Sequence, residues 1–221
     1  MNKWGIGCIG AGLVLLFFAI IAGVALVASY NRLVGLQQGV DQAWAQVQNV
    51  YQRRADLIPN LVSTVSGAAN FEKSTLTEVT NARASVGQVK LDPSKAPTDA
   101  AQLAQFQAAQ GQLGAALSRL LVVAENYPQL RATENFMTLQ AQLEGTENRI
   151  TTERGNFNTI VQTYNTAVRR FPTNLFAGMF GFSPRPFFAA QPGAETAPTV
   201  KFDFSNAPAT PAPAATAAAT P

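Results

Sequence analysis

Thirteen carboxylates and sixteen basic side chains make up the charged inventory of this 221-residue chain; histidine is absent and Cys8 is the single cysteine. That set excludes Ser-His-Asp and Cys-His catalysis, His/Cys zinc sites and any intrachain disulfide. Carboxylate chemistry is what remains. Asp41, Asp56, Glu72, Glu78, Asp99, Glu125, Glu134, Glu144, Glu147 and Glu153 are the acids read as belonging to the bundle. Glu144 and Glu147 are three apart and share one helix face, the spacing by which two carboxylates can meet a metal. Di-metal carboxylate bundles, however, take Glu-x-x-His pairs from facing helices, and no such pair can be built here. The expectation is therefore solvated helix faces with ion pairs of about a few tenths of a kcal/mol each. No catalytic residue, metal or cofactor is expected, and the chain is read as not an enzyme.

The remaining polar groups read as structural or partner-binding. Arg53, Arg54 and Asp56 lie just before Pro59. One arginine is expected to pair with Asp56 or with an acid on the last helix, and the group is also where an anionic partner could be held. Asn148, Asn158 and Asn165 flank the apolar stripe of that last helix; Asn is a poor helix former, so its repeated use points to hydrogen bonds between helices. Arg169 and Arg170 suit a helix C-terminus. The net charge is only +3 and no basic run exceeds these arginine pairs, so nucleic acid is not an expected partner.

These residues must be positioned by a helical frame. Gly5–Ala28 is apolar and uncharged. Its 24 residues rise about 36 Å, enough to cross a hydrocarbon core of roughly 30 Å. Lys3 and Arg32 bracket it, with Trp4 and Tyr30 at interfacial positions. Val27-Ala28-Ser29 is a passable cleavage site, but the run is longer than a usual signal core and feeds directly into a helix-competent sequence. It is read as a retained single-pass anchor, with Cys8 as a small apolar residue within it. Ala19-xxx-Gly23 offers a small-residue contact for a homo-oligomer. The charge asymmetry across the span is a single charge, which leaves the side of the helical domain open.

Beyond the span, apolar residues recur at Leu33, Leu36, Val40, Trp44, Val47, Tyr51, Ala55, Ile58, Val62 and Val65. The steps of three and four predict one helix. Pro59 removes the bond to the Ala55 carbonyl at about 3 kcal/mol, yet the stripe passes it without a slip, so a continuous kinked helix capped by Gly67 is predicted. A second helix is predicted over Phe71–Val86, a loop over Gly87–Pro97, and a third helix over Ala100–Asn126, capped by Thr98 or Asp99. Gln110, Gly111 and Gly114 weaken its middle. Tyr127 ends its stripe and Pro128 closes it. The fourth helix, capped by Thr133, carries Phe136, Leu139, Leu143, Ile150, Phe157, Val161, Tyr164, Val168 and Phe171, and Pro172 stops it. The fold class is all-α: an N-terminal transmembrane helix running into an antiparallel long-helix bundle of about four helices, the first kinked at Pro59. The domain reading is an anchor over 1–29, a bundle with an apolar C-terminal segment over 30–182, an extended segment over 183–206 and a disordered Ala/Pro/Thr-rich tail over 207–221. The apolar segment Asn174–Phe182 should either pack across the bundle or touch lipid or a partner.

Three blocks of sequence resemble one known family. QRRADLIPNLV (Gln52–Val62), VAENYPQLRATENFMTLQAQLEGTENRI (Val123–Ile150) and YNTAVRRFPTNLFAGMFGF (Tyr164–Phe182) are similar, in that order and behind an N-terminal span, to the signatures of the LemA family. The resemblance extends from about Tyr30 to Phe204. It departs at Gly155–Asn158, where members more often have a bulkier residue and a Tyr-Asn pair. It implies a bacterial single-pass membrane protein with a long-helix bundle, located in the inner (cell) membrane, and it transfers no catalytic residue. The expected function is a non-enzymatic membrane scaffold or adaptor. The alternative is an auxiliary or sensor subunit regulating a membrane enzyme such as a protease. Expected partners are the lipid bilayer, other membrane or envelope proteins, and a second copy of the chain. The candidate partner-binding or structural residues are Arg53, Arg54, Asp56, Pro59, Tyr127, Pro128, Glu144, Glu147, Asn148, Tyr164 and Asn165.

Overall fold

The structure is a computed structural model. It describes residues 3–67, 71–89, 91–92 and 94–190, with side chains from residue 12 onward in the first helix. The expectations for Cys8 and Trp4 side chains, for most of the 183–206 segment and for the 207–221 tail lie outside the described residues.

The described residues are all-helical, in five α-helices and two 3-10 turns, with no strand among them. The first helix, α1, spans Lys3–Ser66 without interruption and contains Pro59. The apolar run and the first bundle helix are therefore one element, as expected from an apolar run that feeds directly into a helix-competent sequence. Pro59 is exposed, and its ring is accommodated on the solvent face of the helix. The carbonyl it leaves unpaired is not left orphaned: Arg83 Nε donates to Ala55 O at 3.1 Å from the next helix. Gly67 follows α1 but does not cap it in the left-handed form; among the described glycines only Gly181 has a positive φ.

Helix α2 spans Lys73–Gln88 and α3 spans Ala100–Ala124. Asp99 caps α3, its carboxylate accepting from Ala101 N at 2.8 Å. The single turn α4, Pro128–Arg131, was not expected, because one turn carries no periodicity; Pro128 opens it at the first helical position, where its missing N–H costs nothing. Helix α5 spans Glu134–Arg169, and Thr133 caps it by accepting from Phe136 N at 3.4 Å. Phe171 lies past its end and is 73% exposed, so the stripe stops at Val168 rather than continuing to Phe171.

Helices α1 and α5 are the main pair and run antiparallel. Gly39 approaches Ile160, Trp44 meets Phe157, and Arg54 meets Glu147, each step up α1 matched by a step down α5. Helices α2 and α3 form an antiparallel hairpin, with Phe71 against Tyr127 at one end and Glu78 bridged to Arg119 along the side.

The interior divides into two apolar clusters. The proximal one, nearer the span, gathers Leu33, Val40, Trp44, Val47 and Tyr51 of α1, Leu103 and Phe106 of α3, and Ile150, Phe157, Val161, Tyr164 and Val168 of α5. The distal one holds Ile58, Leu61 and Val65 of α1, Val79, Leu113, Leu117 and Leu120, and Phe136 and Leu143 of α5. Burying each of these side chains contributes roughly 1.5–3 kcal/mol, which exceeds any surface ion pair in the bundle.

Candidate functional site

Between the two clusters, all three long bundle helices place a polar residue. Arg54 follows Tyr51 and precedes Ile58, Gln110 follows Phe106 and precedes Leu113, and Glu147 lies between Leu143 and Ile150. Arg54 is 2% exposed. Its Nη1 donates to both oxygens of Glu147, at 3.0 and 3.3 Å. Its Nη2 donates to the Gln110 backbone carbonyl at 3.1 Å and to the Gln110 side-chain oxygen. The guanidinium also lies over the Tyr51 ring, 5.2 Å from its centroid. Gly114 lies beside the guanidinium, and a Cβ there would make an ordinary van der Waals contact with Arg54 Nη1 at 4.0 Å. A planar cation with five donors suits such a many-partnered position, and a lysine would not. Burial pushes the Tyr51 hydroxyl above its ordinary pKa, and the Arg154 and Arg54 cations oppose that.

Glu147 is half out of the bundle, with 57% of its side chain exposed. The pair is therefore a buried cation reaching a solvated carboxylate, which avoids the cost of desolvating both ions. It joins α1 to α5 and, through Gln110, to α3. Gln110, which looked like a weak point of α3, is the residue that receives Arg54.

A second polar assembly holds the chain after α5. Ser183-Pro184-Arg185-Pro186-Phe187-Phe188 has no helical structure and lies along α5. Asn165 Nδ2 donates to Arg185 O at 2.9 Å, and Arg185 N donates to Asn165 Oδ1 at 2.8 Å. Asn158 repeats the arrangement on Phe188, at 3.1 and 2.9 Å. The spacing is physical. Seven helical residues rise about 10.5 Å and three extended residues cover about 10 Å, so the two amides meet Arg185 and Phe188 in register. The prolines keep this strap extended. Phe188 then stacks on Trp44, with centroids 6.1 Å apart, and meets Phe157 edge-on at 5.3 Å. Arg154 covers it from outside, 4.9 Å from the ring centroid.

The strap reaches the α2–α3 loop through Arg185, whose Nη1 donates to Ala96 O at 2.7 Å. Asp41 Oδ1 accepts from Ala96 N at 2.9 Å, and Trp44 Nε1 donates to Asp92 O at 3.3 Å. The loop is thus pinned to α1 and to the strap. Tyr164 is buried beside the Arg185 guanidinium; burial raises its hydroxyl pKa and Arg185 works against the rise.

The candidate residues fall into separate groups. Arg54 and Glu147 meet; Tyr164 and Asn165 join the strap assembly. Arg53, Asp56 and Pro59 are exposed next to Arg54, and Asp56 accepts from Gln52 Nε2 at 2.8 Å. An anionic partner at this place would have Arg53 but not Arg54, which is committed to the interior. Tyr127 is half-buried against Phe71, with ring centroids 5.1 Å apart. Glu144 and Asn148 are exposed, and the Asn148 carbonyl accepts from Thr152 Oγ1 at 3.0 Å. Asn158 and Asn165 bind the strap rather than a neighbouring helix. Gln110, Arg83 and Arg185 were missed. Arg185 had one available signal, a lone cation between two prolines in an apolar stretch. Among the described residues no group of three or more acids, cysteines or histidines converges as a metal site would require.

One described helix is long and apolar enough to cross a membrane, and its apolar window has no buried residue. The segment thus fits a membrane anchor. The magnetosome protein MamQ 2 of Paramagnetospirillum magneticum is 25% identical to this chain, over 88% of this chain and 78% of the relative. MamQ of Magnetospirillum gryphiswaldense is 26% identical, over 77% and 68% respectively. Protein LemA of Metamycoplasma hominis is 24% identical, over 74% and 71%. The model of the LemA family matches residues 43–202, well over half of the chain, and takes in all of the Arg54 layer and the strap. The chain belongs to the LemA family.

Proposed function

We propose that this chain is a non-enzymatic, single-pass scaffold or adaptor of a bacterial inner (cell) membrane, presenting a helical bundle to other envelope proteins. The observation that carries this reading is α1. It runs without a break from the apolar segment into the bundle, so about 57 Å of rigid helix projects beyond Ala28. Such a rod presents surface at a fixed distance from the membrane, which is what a scaffold needs. The buried charged groups support the same reading: Arg54 and Arg185 are spent on holding helices, loop and strap together. None of the three relatives' names states a reaction.

The test is crosslinking of the full chain in intact membranes, followed by identification of the captured proteins. A scaffold captures a recurring set of membrane or envelope proteins, its own copies included. Capture of one membrane enzyme in stoichiometric amount, with that enzyme's activity changed when the chain is deleted, would replace the scaffold with a regulatory subunit. Substrate turnover by the purified chain would remove the non-enzymatic reading altogether.

A further inference from the structure

The chain between α5 and the strap carries apolar surface that the bundle does not cover. Phe171 is 73% exposed, Leu175 67%, Met179 85% and Phe180 51%. The lipid-length part of α1 shows the same values, for example Leu15 at 71% and Phe18 at 62%. The segment nonetheless has its own backbone hydrogen bonds. Two 3-10 turns, Thr173–Leu175 and Gly178–Phe180, fold it back, and Gly181 at φ 79° lets Phe182 N reach Ala177 O at 2.9 Å. Ala177 and Phe182 are buried beneath it. It is a shaped projection with an apolar outer face.

Its position is set by the antiparallel pairing of α5 with α1. Tyr30 of α1 lies 5.4 Å from the Phe180 ring and 5.6 Å from the Phe182 ring, edge-on to both. Tyr30 stands two residues beyond the apolar run, at the depth where aromatic side chains meet lipid headgroups. The charge distribution agrees. Residues 1–40 and 154–190 contain no Asp or Glu. Arg32, Arg169 and Arg170 are exposed in this region, and Arg32 and Arg170 line one open depression with Ser29, Thr166 and Thr173. Each such cation is attracted to an anionic lipid surface.

We propose that the Phe171–Phe180 projection is a second membrane contact, immersed in the headgroup–acyl boundary of the bilayer that α1 crosses, with Arg32, Arg169 and Arg170 at headgroup level. The bundle then stands on two points rather than on one stem. The inference rests on the reading of α1 as a retained anchor, and the test separates the two.

The full chain, with Cys8→Ser, is reconstituted in vesicles containing phosphatidylcholine and phosphatidylglycerol. A nitroxide is attached singly at Met179→Cys, Ile20→Cys or Met137→Cys, all exposed positions. Collision of the label with oxygen and with a water-soluble nickel complex reports immersion. The expected result is oxygen preference at 179 as at 20, and nickel preference at 137, near the far end of the bundle. Nickel preference at 179 with oxygen preference at 20 would overturn the proposal and leave the anchor standing. Shielding of 179 from both reagents would also overturn it, since protein would then cover the projection. Nickel preference at both 20 and 179 would overturn the anchor and the projection together. As a second variant, Met179→Asp with Phe180→Asp is expected to bring oxygen preference at a label on Leu175→Cys down to nickel preference, without changing the label at 20.

Discussion

The proximal and distal halves of the bundle share α1, α3 and α5 but are held in different ways. The proximal core is aromatic, built on Trp44, Tyr51, Phe106, Phe157, Tyr164 and Phe188, and it is closed by a strap and a loop pinned through Asp41, Asn158, Asn165 and Arg185. The distal core is mainly aliphatic, and the α2–α3 hairpin and α4 complete it. Arg54, Gln110 and Glu147 mark the boundary. Apolar contacts are non-directional, so helices joined by them alone can slide by a turn. Directional bonds resist that. The proximal half puts directional bonds at its edge, where a non-helical segment has no other reason to stay. The distal half relies on short connections between its helices, and the polar layer fixes the register of both.

The largest effects should come from the cores. Trp44→Ala removes a fully buried side chain that contacts Phe106, Phe157 and Phe188. It should cost about 3–5 kcal/mol in denaturant unfolding and raise hydrogen exchange at Arg185 and Phe188. Leu120→Ala in the distal core should cost about 2–5 kcal/mol while leaving exchange in the strap unchanged. Equal exchange in the two variants would abolish the distinction between the halves.

Arg54→Ala comes next. It should cost about 2–4 kcal/mol, at or below the usual range for a broken buried pair because Glu147 is already solvated. Arg54→Lys should recover only part of the loss, since an ammonium cannot span Glu147 and Gln110 together. A fully stable Arg54→Lys would show that charge, not the fork of donors, holds the boundary.

Asn165→Ala should cost about 1–3 kcal/mol, because it strands the buried Arg185 amide. Its readout is faster amide exchange at Arg185 with distal exchange untouched. The smallest effect is expected for Arg83→Ala, about 0.5–1.5 kcal/mol, as its partner Ala55 O can turn to water. In a Pro59→Ala background, where the helix can satisfy Ala55 O itself, the same change should cost less.

The sequence made the periodic part of this fold readable. Most of the α1 stripe, the Thr133 cap, a cap for α3 at Thr98 or Asp99 and the α5 stripe through Val168 follow from spacing and side-chain chemistry alone; past Pro59, however, Leu61 is the fully buried residue where the expected stripe had Val62, which is half-buried. The readings that changed concern features without a period. Gln110 interrupts the apolar stripe of α3, and only the position of Arg54 explains why a polar residue is buried there; Gly114 lowers helix propensity, and nothing in the structure requires glycine at that position. Asn158 and Asn165 were visible as odd choices on α5, but their partners are backbone groups 20 or more residues away, and backbone groups leave no mark in a sequence. Phe171 fitted the stripe by number, yet it lies beyond Arg169, where the helix has already stopped.

The unbroken α1 has a mechanical consequence. A chain with a hinge between membrane and domain lets the two reorient independently; a continuous helix acts as a lever. With about 57 Å projecting beyond the span, a tilt of about 10° within the bilayer displaces the far end of the rod by about 10 Å. Under the proposed reading of α1 as a membrane anchor, a change in bilayer thickness that alters the tilt of the span would be relayed to the distal surface as a movement the width of a helix.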